Sequence, residues 1–213
     1  MDFAGLREAE LRRHLARTAV TDAEVGCKAA VLVPFVAETD GWHLLFIRRA
    51  ERADDEHSGQ VAFPGGRMDP GDSGAVACAL RETEEEIGVA AGRVQLLGAT
   101  AVQHTRAGYP VQPVVGLLPW PTPLRPDPSE VAHCFTVPLA WLADAGNRRP
   151  VRFRTPGGGE GQVAGFREYR GEHVWGLTAR IVLDVIARLE TVATASAATP
   201  GTGPVATRPL AFR

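Results

Sequence analysis

Three glutamates, Glu82, Glu85 and Glu86, follow one another at i, i+3 and i+4 within a segment of helical periodicity. On an α-helix this spacing brings their carboxylates to one face. Oxygen ligands grouped in this way suit a hard divalent ion such as Mg2+ or Mn2+, which keeps several waters and bridges to substrate phosphates. The alternative interpretation of the three glutamates alone is a solvated acidic helix face.

The predicted helix is preceded by a chain break at Pro64-Gly65-Gly66. Glycine is typical of such a break because it adopts backbone conformations that other residues rarely reach. The helix is predicted from Ser73 to Ile87, with Gly88 as its C-cap. Its buried stripe, on the face opposite the glutamates, is predicted to contain Val76, Ala79 or Leu80, Thr83 and Ile87.

The segment from the glycines to the end of the helix forms a longer pattern. It reads Gly66, five residues, Asp72, eight residues and then Arg81-Glu82-Thr83-Glu84-Glu85-Glu86-Ile87-Gly88-Val89. This pattern resembles the Nudix box, written G-x5-E-x7-R-E-U-x-E-E-x-G-U. Asp72 stands at the first glutamate position, and one additional residue precedes Arg81. The resemblance implies an α/β fold, the Nudix α/β/α sandwich with a mixed β-sheet between helices.

The resemblance to the Nudix family also implies a reaction, the hydrolysis of a diphosphate bond. Divalent ions, Mg2+ or Mn2+, would neutralise the diphosphate oxygens and lower the pKa of a bound water, without a covalent enzyme intermediate. Glu82 and Glu86 would be the principal metal ligands, joined by the backbone carbonyl of Gly65. Glu85 would complete the ligand set or polarise the attacking water, and the identity of the general base stays open.

Arg81 and Glu130 extend this predicted catalytic centre. The forked guanidinium of Arg81 could reach Asp72 or Glu85 and fix the loop against the helix, which is a structural role. The family often adds an acidic residue from outside the box, and Glu130, at the start of a predicted strand, is the candidate. An exposed glutamate at a strand end is the alternative interpretation of Glu130.

Segments outside the box resemble one branch of the family, the coenzyme A diphosphatases. Phe63-Pro64-Gly65-Gly66, with His57 and Gly59 before it, matches the upstream segment of that branch, and residues 130–139 and 173–179 match its downstream segments. Asp55 and Phe46 depart from the branch pattern. The resemblance implies cleavage of coenzyme A or its derivatives to 4′-phosphopantetheine and adenosine 3′,5′-bisphosphate.

Arginines close to these segments are candidates for substrate binding, because a guanidinium recognises phosphate through forked hydrogen bonds. The substrate-binding candidates are Arg48, Arg49, Arg52, Gly66 and His57. Solvated surface arginines and a solvated loop histidine are the alternative interpretation.

The box does not separate one diphosphate substrate from another. A Nudix hydrolase of ADP-ribose, NADH, a nucleoside triphosphate, a nucleotide sugar or a dinucleoside polyphosphate stays open. So does a non-catalytic nucleotide-binding module, although such modules usually lose the metal glutamates. Isopentenyl diphosphate isomerisation needs a catalytic cysteine, and none of Cys27, Cys78 and Cys134 stands in a suitable context.

Several predicted elements must position these residues. They are an amphipathic helix near 3–18, a hairpin at 29–33 and 42–47, strands near 92–104, 111–118, 131–137 and 150–170, a short helix at 138–143 and a long helix at 174–192. We therefore expect an N-terminal helix and linker at 1–24, a Nudix hydrolase domain at 25–192 and a flexible C-terminal tail at 193–213.

Composition limits the remaining classes. A chain of 213 residues with 45% hydrophobic residues is expected to bury one core. Its 23 basic and 25 acidic residues give no footprint for broad nucleic-acid binding. The cysteines lack C-x-x-C spacing, and no apolar stretch could span a bilayer. We expect a cytoplasmic protein with a small-molecule diphosphate substrate and without nucleic-acid or membrane partners. A homodimer is compatible with the sequence, although no segment marks an interface.

Overall fold

The computed structural model describes residue 3 and residues 5–15, 26–52, 58–154 and 159–197, with the side chains of the last helix described as far as residue 191. The helices described are α1 (Glu8–Leu15), α2 (Ala75–Ile87), α3 (Leu139–Ala143) and α4 (Gly176–Ala197). The strands described are β1 (Ala29–Glu38), β2 (Gly41–Arg49), β3 (Val61–Ala62), β4 (Gly65–Arg67), β5 (Gln95–Ala99), β6 (Gln103–His104), β7 (Pro110–Leu117), β8 (Val131–Pro138), β9 (Val151–Arg154) and β10 (Glu160–Val163).

A mixed sheet forms the middle layer, as the sequence predicts. β1 pairs antiparallel with β2 and β4 and parallel with β7. β2 also pairs antiparallel with β3 and β8, and β7 with β5 and β6. The predicted hairpin is confirmed, with Glu38 opposite Gly41 across a two-residue turn. β9 and β10 form a separate two-stranded sheet.

Helices cover both faces of the mixed sheet. On one face, Cys78 and Ala79 of α2 pack against Ala30, Leu32 and Val114 of β1 and β7. Side chains alternate between the two faces along a strand, so the neighbouring residues of β1 point to the other face. There α1, α3 and α4 share one larger apolar cluster with the strands. The predicted α/β/α sandwich is therefore confirmed.

Some predicted boundaries differ from the structure. α1 begins at Glu8 rather than near residue 3, with Leu6 buried ahead of it, and residues 16–25 lie outside the described residues. The segment predicted as one strand at 92–104 divides into a 3-10 turn, β5 and β6. α4 begins two residues after the predicted start and continues five residues past 192. The division at residues 24 and 192 stays a prediction, and residues 198–213 lie outside the described residues. No helix that the structure describes is both long and apolar enough to cross a membrane.

Candidate active site

The box segment (residues 65–88) begins with two glycines whose positions admit no side chain. Gly65 has φ of 149°, and a Cβ built on it would lie 2.3 Å from the carbonyl oxygen of Ala30. A Cβ on Gly66 would lie 2.3 Å from Cδ of Glu82. Glycine is therefore required twice, once for the approach of β4 to β1 and once for the approach of a carboxylate to β4.

Glu86 is the most deeply placed carboxylate of the box segment. It is 1% exposed, and its Oε2 accepts a hydrogen bond from the backbone N–H of Gly65 at 2.9 Å. The pKa of Glu86 is raised to about 8, mainly by burial. The hydrogen bond from the Gly65 N–H and the charge of Arg49 lower this pKa, and the charges of Glu82 and Glu130 raise it. A buried carboxylate surrounded by other carboxylates is stabilised in its charged form by a cation.

This burial corrects the expectation that all three glutamates lie opposite the apolar stripe. Ala79, Thr83 and Ile87 are buried as predicted, Cys78 is buried too, and Val76 and Leu80 are only half-buried. Glu86 is three residues after Thr83, so it shares the buried side of α2. The space it enters exists because Gly65 and Gly66 bring no side chains to it.

Glu82, one turn before Glu86 on α2, also lies against the Gly65-Gly66 loop. Its carboxylate fills the space that a side chain at position 66 would need. Burial raises the pKa of Glu82, the charge and hydrogen bond of Arg81 lower it, and the charges of Glu85 and Glu130 raise it. Glu82 and Glu86 therefore face the same two glycines and sense the same negative charge from Glu130.

Arg81 joins the loop to the helix through both predicted partners. Its Nε and Nη2 donate to the carboxylate of Asp72 at 3.1 and 3.0 Å, and its Nη1 donates to Glu85 Oε2 at 2.9 Å. Nη2 also donates to the backbone carbonyl of Arg67. The hydrogen bond from Arg81 lowers the pKa of Asp72, whose side chain is only 5% exposed.

α2 ends at Ile87, and the next residue, Gly88, adopts φ of 70° as the predicted C-cap.

Glu85 is placed differently from the other two glutamates. Its side chain is 58% exposed and is held by Arg81. Among the residues that the structure describes, no three histidine, cysteine, aspartate or glutamate side chains are gathered closely enough to enclose a metal ion. The convergence that the spacing predicts is therefore found for Glu82 and Glu86, and Glu85 is outside it. The chemistry of the site still fits a divalent ion, because two carboxylates with raised pKa values meet at a loop of backbone groups.

A cleft of about 550 Å³ lies beside this centre. We name it the arginine cleft; it is lined by Arg48, Arg49, Ala50, Glu51, Pro128, Ala132, His133, Gly171 and Glu172. Arg48 pairs with His133 across β2 and β8, and a bulge separates Arg48 from Arg49. Adjacent side chains of a strand point to opposite faces of the sheet. Arg49 is thereby close enough to lower the pKa of Glu86, while Arg48 donates to Glu172 at 3.4 Å.

The remaining predicted residues differ in their relation to the cleft. The side chain of Glu130 is exposed. Its backbone carbonyl accepts a hydrogen bond from the N–H of Ala50, and this bond holds the 127–130 turn at the end of β2. Arg52 is exposed and does not belong to the cleft lining. His57 lies outside the described residues. His133 and Glu172 were not predicted as site residues, since their proximity to Arg48 depends on strand register and on a turn far along the chain.

Comparisons with known proteins place this geometry in a family. The family model of the NUDIX domain matches residues 27–154. Proteins of Yersinia pestis (strain Pestoides F) and Yersinia pseudotuberculosis serotype O:1b (strain IP 31758), both named uncharacterized Nudix hydrolase NudL, are 37% identical over 155 residues, 73% of this chain and 76% of theirs.

Solved structures with a related fold include the Nudix hydrolase RenU from M. smegmatis, with a TM-score of 0.48 and 16% identity over 85% of this chain and 90% of that chain. A C. elegans Ap4A hydrolase has a TM-score of 0.46 and 20% identity over 53% of this chain and 80% of that chain. The family-model match and the curated relatives carry the assignment. The chain therefore belongs to the Nudix family and is a hydrolase that acts on diphosphate bonds.

Proposed function

We propose that this hydrolase cleaves the diphosphate bond of coenzyme A or its derivatives, giving 4′-phosphopantetheine and adenosine 3′,5′-bisphosphate, with Mg2+ or Mn2+. The cleavage of a diphosphate is supported above all by the buried Glu86 carboxylate, which meets Glu82 at the Gly65-Gly66 loop. The choice of coenzyme A is supported by the resemblance of residues 57–66, 130–139 and 173–179 to that branch of the family.

Glu82, Glu86 and the backbone carbonyl of Gly65 are the proposed metal ligands. A bound divalent ion would supply charge neutralisation at the diphosphate and a water of lowered pKa. Glu85 is the proposed polarising group for that water or a further ligand, and it would have to leave the ion pair with Arg81 to serve as either. Arg81 fixes the distance between Asp72 and α2, so that the glutamates keep their geometry.

Arg48 and Arg49 are the proposed contacts to substrate phosphates, because both line the arginine cleft beside Glu86 and Glu130. The backbone of Gly66 is a further proposed contact to the diphosphate, because this residue has no side chain of its own to cover it. Glu130 is the proposed additional acid. Arg52 and His57 remain sequence predictions for substrate binding, as do a homodimer and a cytoplasmic location.

The alternative is hydrolysis of another nucleoside diphosphate derivative at the same site. ADP-ribose, NADH and nucleoside triphosphates carry the same diphosphate group, so the box segment would treat all of them alike. A non-catalytic nucleotide-binding module is the third candidate, and the retained Glu82, Glu85 and Glu86 count against it.

The test is a hydrolysis panel with Mg2+ or Mn2+ and product identification by mass spectrometry. Coenzyme A, acyl-coenzyme A, ADP-ribose, NADH and nucleoside triphosphates are compared at equal concentration. Preferred cleavage of coenzyme A to the two named products is the expected result. Preferred cleavage of another compound would replace the substrate and keep the chemistry, and absence of cleavage in every reaction would overturn the proposed activity.

A further inference from the structure

A tight turn at residues 169–172 carries Glu172 to the wall of the arginine cleft. Tyr169 and Glu172 exchange two backbone hydrogen bonds of 2.8 and 2.9 Å. The two central residues, Arg170 and Gly171, have φ of 51° and 88°. Among the described residues, Arg170 alone is a non-glycine residue with positive φ. Such a conformation costs free energy and persists only where the surroundings hold it, often next to functional sites.

Glu172 holds two side chains from two different strands. Its side chain is 14% exposed, its Oε1 lies 2.7 Å from His133 Nε2, and its Oε2 lies 3.4 Å from Arg48 Nη1. Arg48 and His133 are cross-strand partners of β2 and β8. One carboxylate therefore sets the orientation of both side chains on the cleft wall.

The contact with Glu172 determines what His133 can recognise. A carboxylate is an acceptor, so Nε2 of His133 carries the proton in this contact, and in the neutral ring Nδ1 is left as an acceptor. The side chain of His133 is 51% exposed, so a ligand can reach it. Arg48 retains further N–H donors besides the one directed at Glu172. The pair therefore offers donors for a phosphate oxygen beside an acceptor for a hydroxyl or amino group.

The cleft borders the candidate catalytic centre. The N–H of Ala50, which lines the cleft, donates to the backbone carbonyl of Glu130 at 2.8 Å. Pro128 lines the cleft too, and the N–H of its neighbour Asp127 donates to the backbone carbonyl of Glu86 at 2.9 Å. A substrate whose diphosphate lies at Glu82 and Glu86 would thus extend towards Arg48 and His133.

We propose that Arg48 and His133 recognise the sugar–phosphate portion of a nucleotide substrate and that Glu172 is the positioning residue for both. This inference rests on the proposed function, because it assigns the remainder of the substrate of the same site. His133 accepts a hydrogen bond from a sugar hydroxyl or a base amino group. Arg48 donates to the phosphate next to that sugar.

The test compares ADP with inorganic pyrophosphate, two probes that share a diphosphate, of which ADP alone carries a ribose and a base. Affinities are measured by isothermal titration calorimetry on the full chain, with Ca2+ present. We expect ADP to bind the unmodified chain at least about tenfold more tightly than pyrophosphate, roughly the value of one good hydrogen bond to a charged or fixed partner. Glu172→Gln and His133→Ala should each remove about that tenfold preference and leave pyrophosphate binding within about twofold.

Two further variants separate positioning from general damage. His133→Gln keeps an amide oxygen as acceptor and should restore part of the ADP preference. Glu168→Gln changes an exposed glutamate of the same segment and should alter neither affinity. Thermal denaturation of each variant shows whether the fold is kept.

Equal affinity of the unmodified chain for ADP and pyrophosphate would overturn the inference. So would an equal weakening of both probes in the Glu172 and His133 variants, or an unchanged ADP preference in both. Calorimetry does not depend on turnover, so a chain that hydrolyses nothing in the substrate panel can still pass or fail this test.

Discussion

The box segment and the arginine cleft lie side by side but are built in different ways. The box segment takes its carboxylates, its guanidinium and its glycines from 24 consecutive residues, 65–88. The arginine cleft takes its polar side chains from β2, β8 and the turn at 169–172, which are far apart in the chain. The first region holds a buried carboxylate that suits a metal ion, and the second presents exposed donors and an acceptor. We therefore expect changes in the box segment to lower kcat and changes in the cleft to raise KM.

The largest effect is expected for Glu86→Gln. The substitution removes the charge of the buried carboxylate and keeps an oxygen that can accept from the Gly65 N–H. Turnover should fall roughly 10²- to 10³-fold, as for the loss of one preorganised electrostatic partner. Steady-state kinetics at saturating metal measures it, with Glu84→Gln, an exposed glutamate of the same helix, as the control. Comparable rates for both variants would show that Glu86 is not needed.

Gly66→Ala should disturb the same centre through space rather than charge. The new Cβ would lie 2.3 Å from Cδ of Glu82, so the carboxylate must move. We expect kcat to fall about 10- to 100-fold, because a displacement near 1 Å of a reacting group can cost about 10²-fold. Gly71→Ala is the matched control, since its Cβ would have no neighbour within 4 Å. If both alanine variants are equally active, the close approach of Glu82 to the glycine loop is not used in turnover.

Arg48→Gln should show the opposite kinetic pattern. It removes one charged donor from the cleft and leaves the box segment unchanged, so KM should rise about tenfold while kcat stays within about twofold. The measurement uses the preferred compound from the hydrolysis panel, with Arg152→Gln as the control because Arg152 is exposed and does not belong to the cleft lining. A fall in kcat at constant KM would remove the distinction between the two regions.

The smallest effect concerns stability without metal. Burial raises the pKa of Glu86 to about 8 from its ordinary 4.5. The folded chain then keeps a proton that the unfolded chain releases, so this contribution to stability is present below pH 4.5 and is lost as pH rises through about 8. Glu86→Gln stays neutral throughout. Its Tm should match the unmodified chain near about pH 5 and exceed it by several degrees near about pH 9, since about 1 kcal/mol corresponds to roughly 2–4 °C.

Differential scanning calorimetry in the presence of a chelator checks this difference. Addition of Mn2+ at about pH 8 should raise the Tm of the unmodified chain more than that of the variant, because the ion stabilises the charged carboxylate that the variant lacks. Parallel Tm curves over the whole pH range would contradict the buried state of Glu86.

The sequence predicts the local parts of this molecule well. Periodicity and Gly88 identify α2 and its end, and the spacing of Arg81 from Asp72 and Glu85 predicts both observed contacts. The side of α2 on which Glu86 lies was predicted wrongly. A carboxylate is normally solvated, and only the missing side chains of Gly65 and Gly66 make room for a buried one.

The tertiary parts could not be predicted in the same way. Arg48 meets His133 because of the β2–β8 register, and the pairing of two strands so far apart in the chain cannot be read from the pattern of either strand alone. Arg170-Gly171 between Tyr169 and Glu172 is a usable turn signal, but nothing in it shows which strand the following glutamate contacts. The register joins Arg48 to a residue 85 positions later in the chain, and the turn joins it to one 124 positions later.

The most direct test of the central claim is Mn2+ binding to the metal-free chain at about pH 8, measured by electron paramagnetic resonance. The account predicts that Glu86→Gln weakens Mn2+ binding at least about tenfold, while Glu84→Gln leaves it unchanged. Equal Mn2+ affinity in the unmodified chain and Glu86→Gln would contradict the claim that the buried carboxylate at the glycine loop holds the metal.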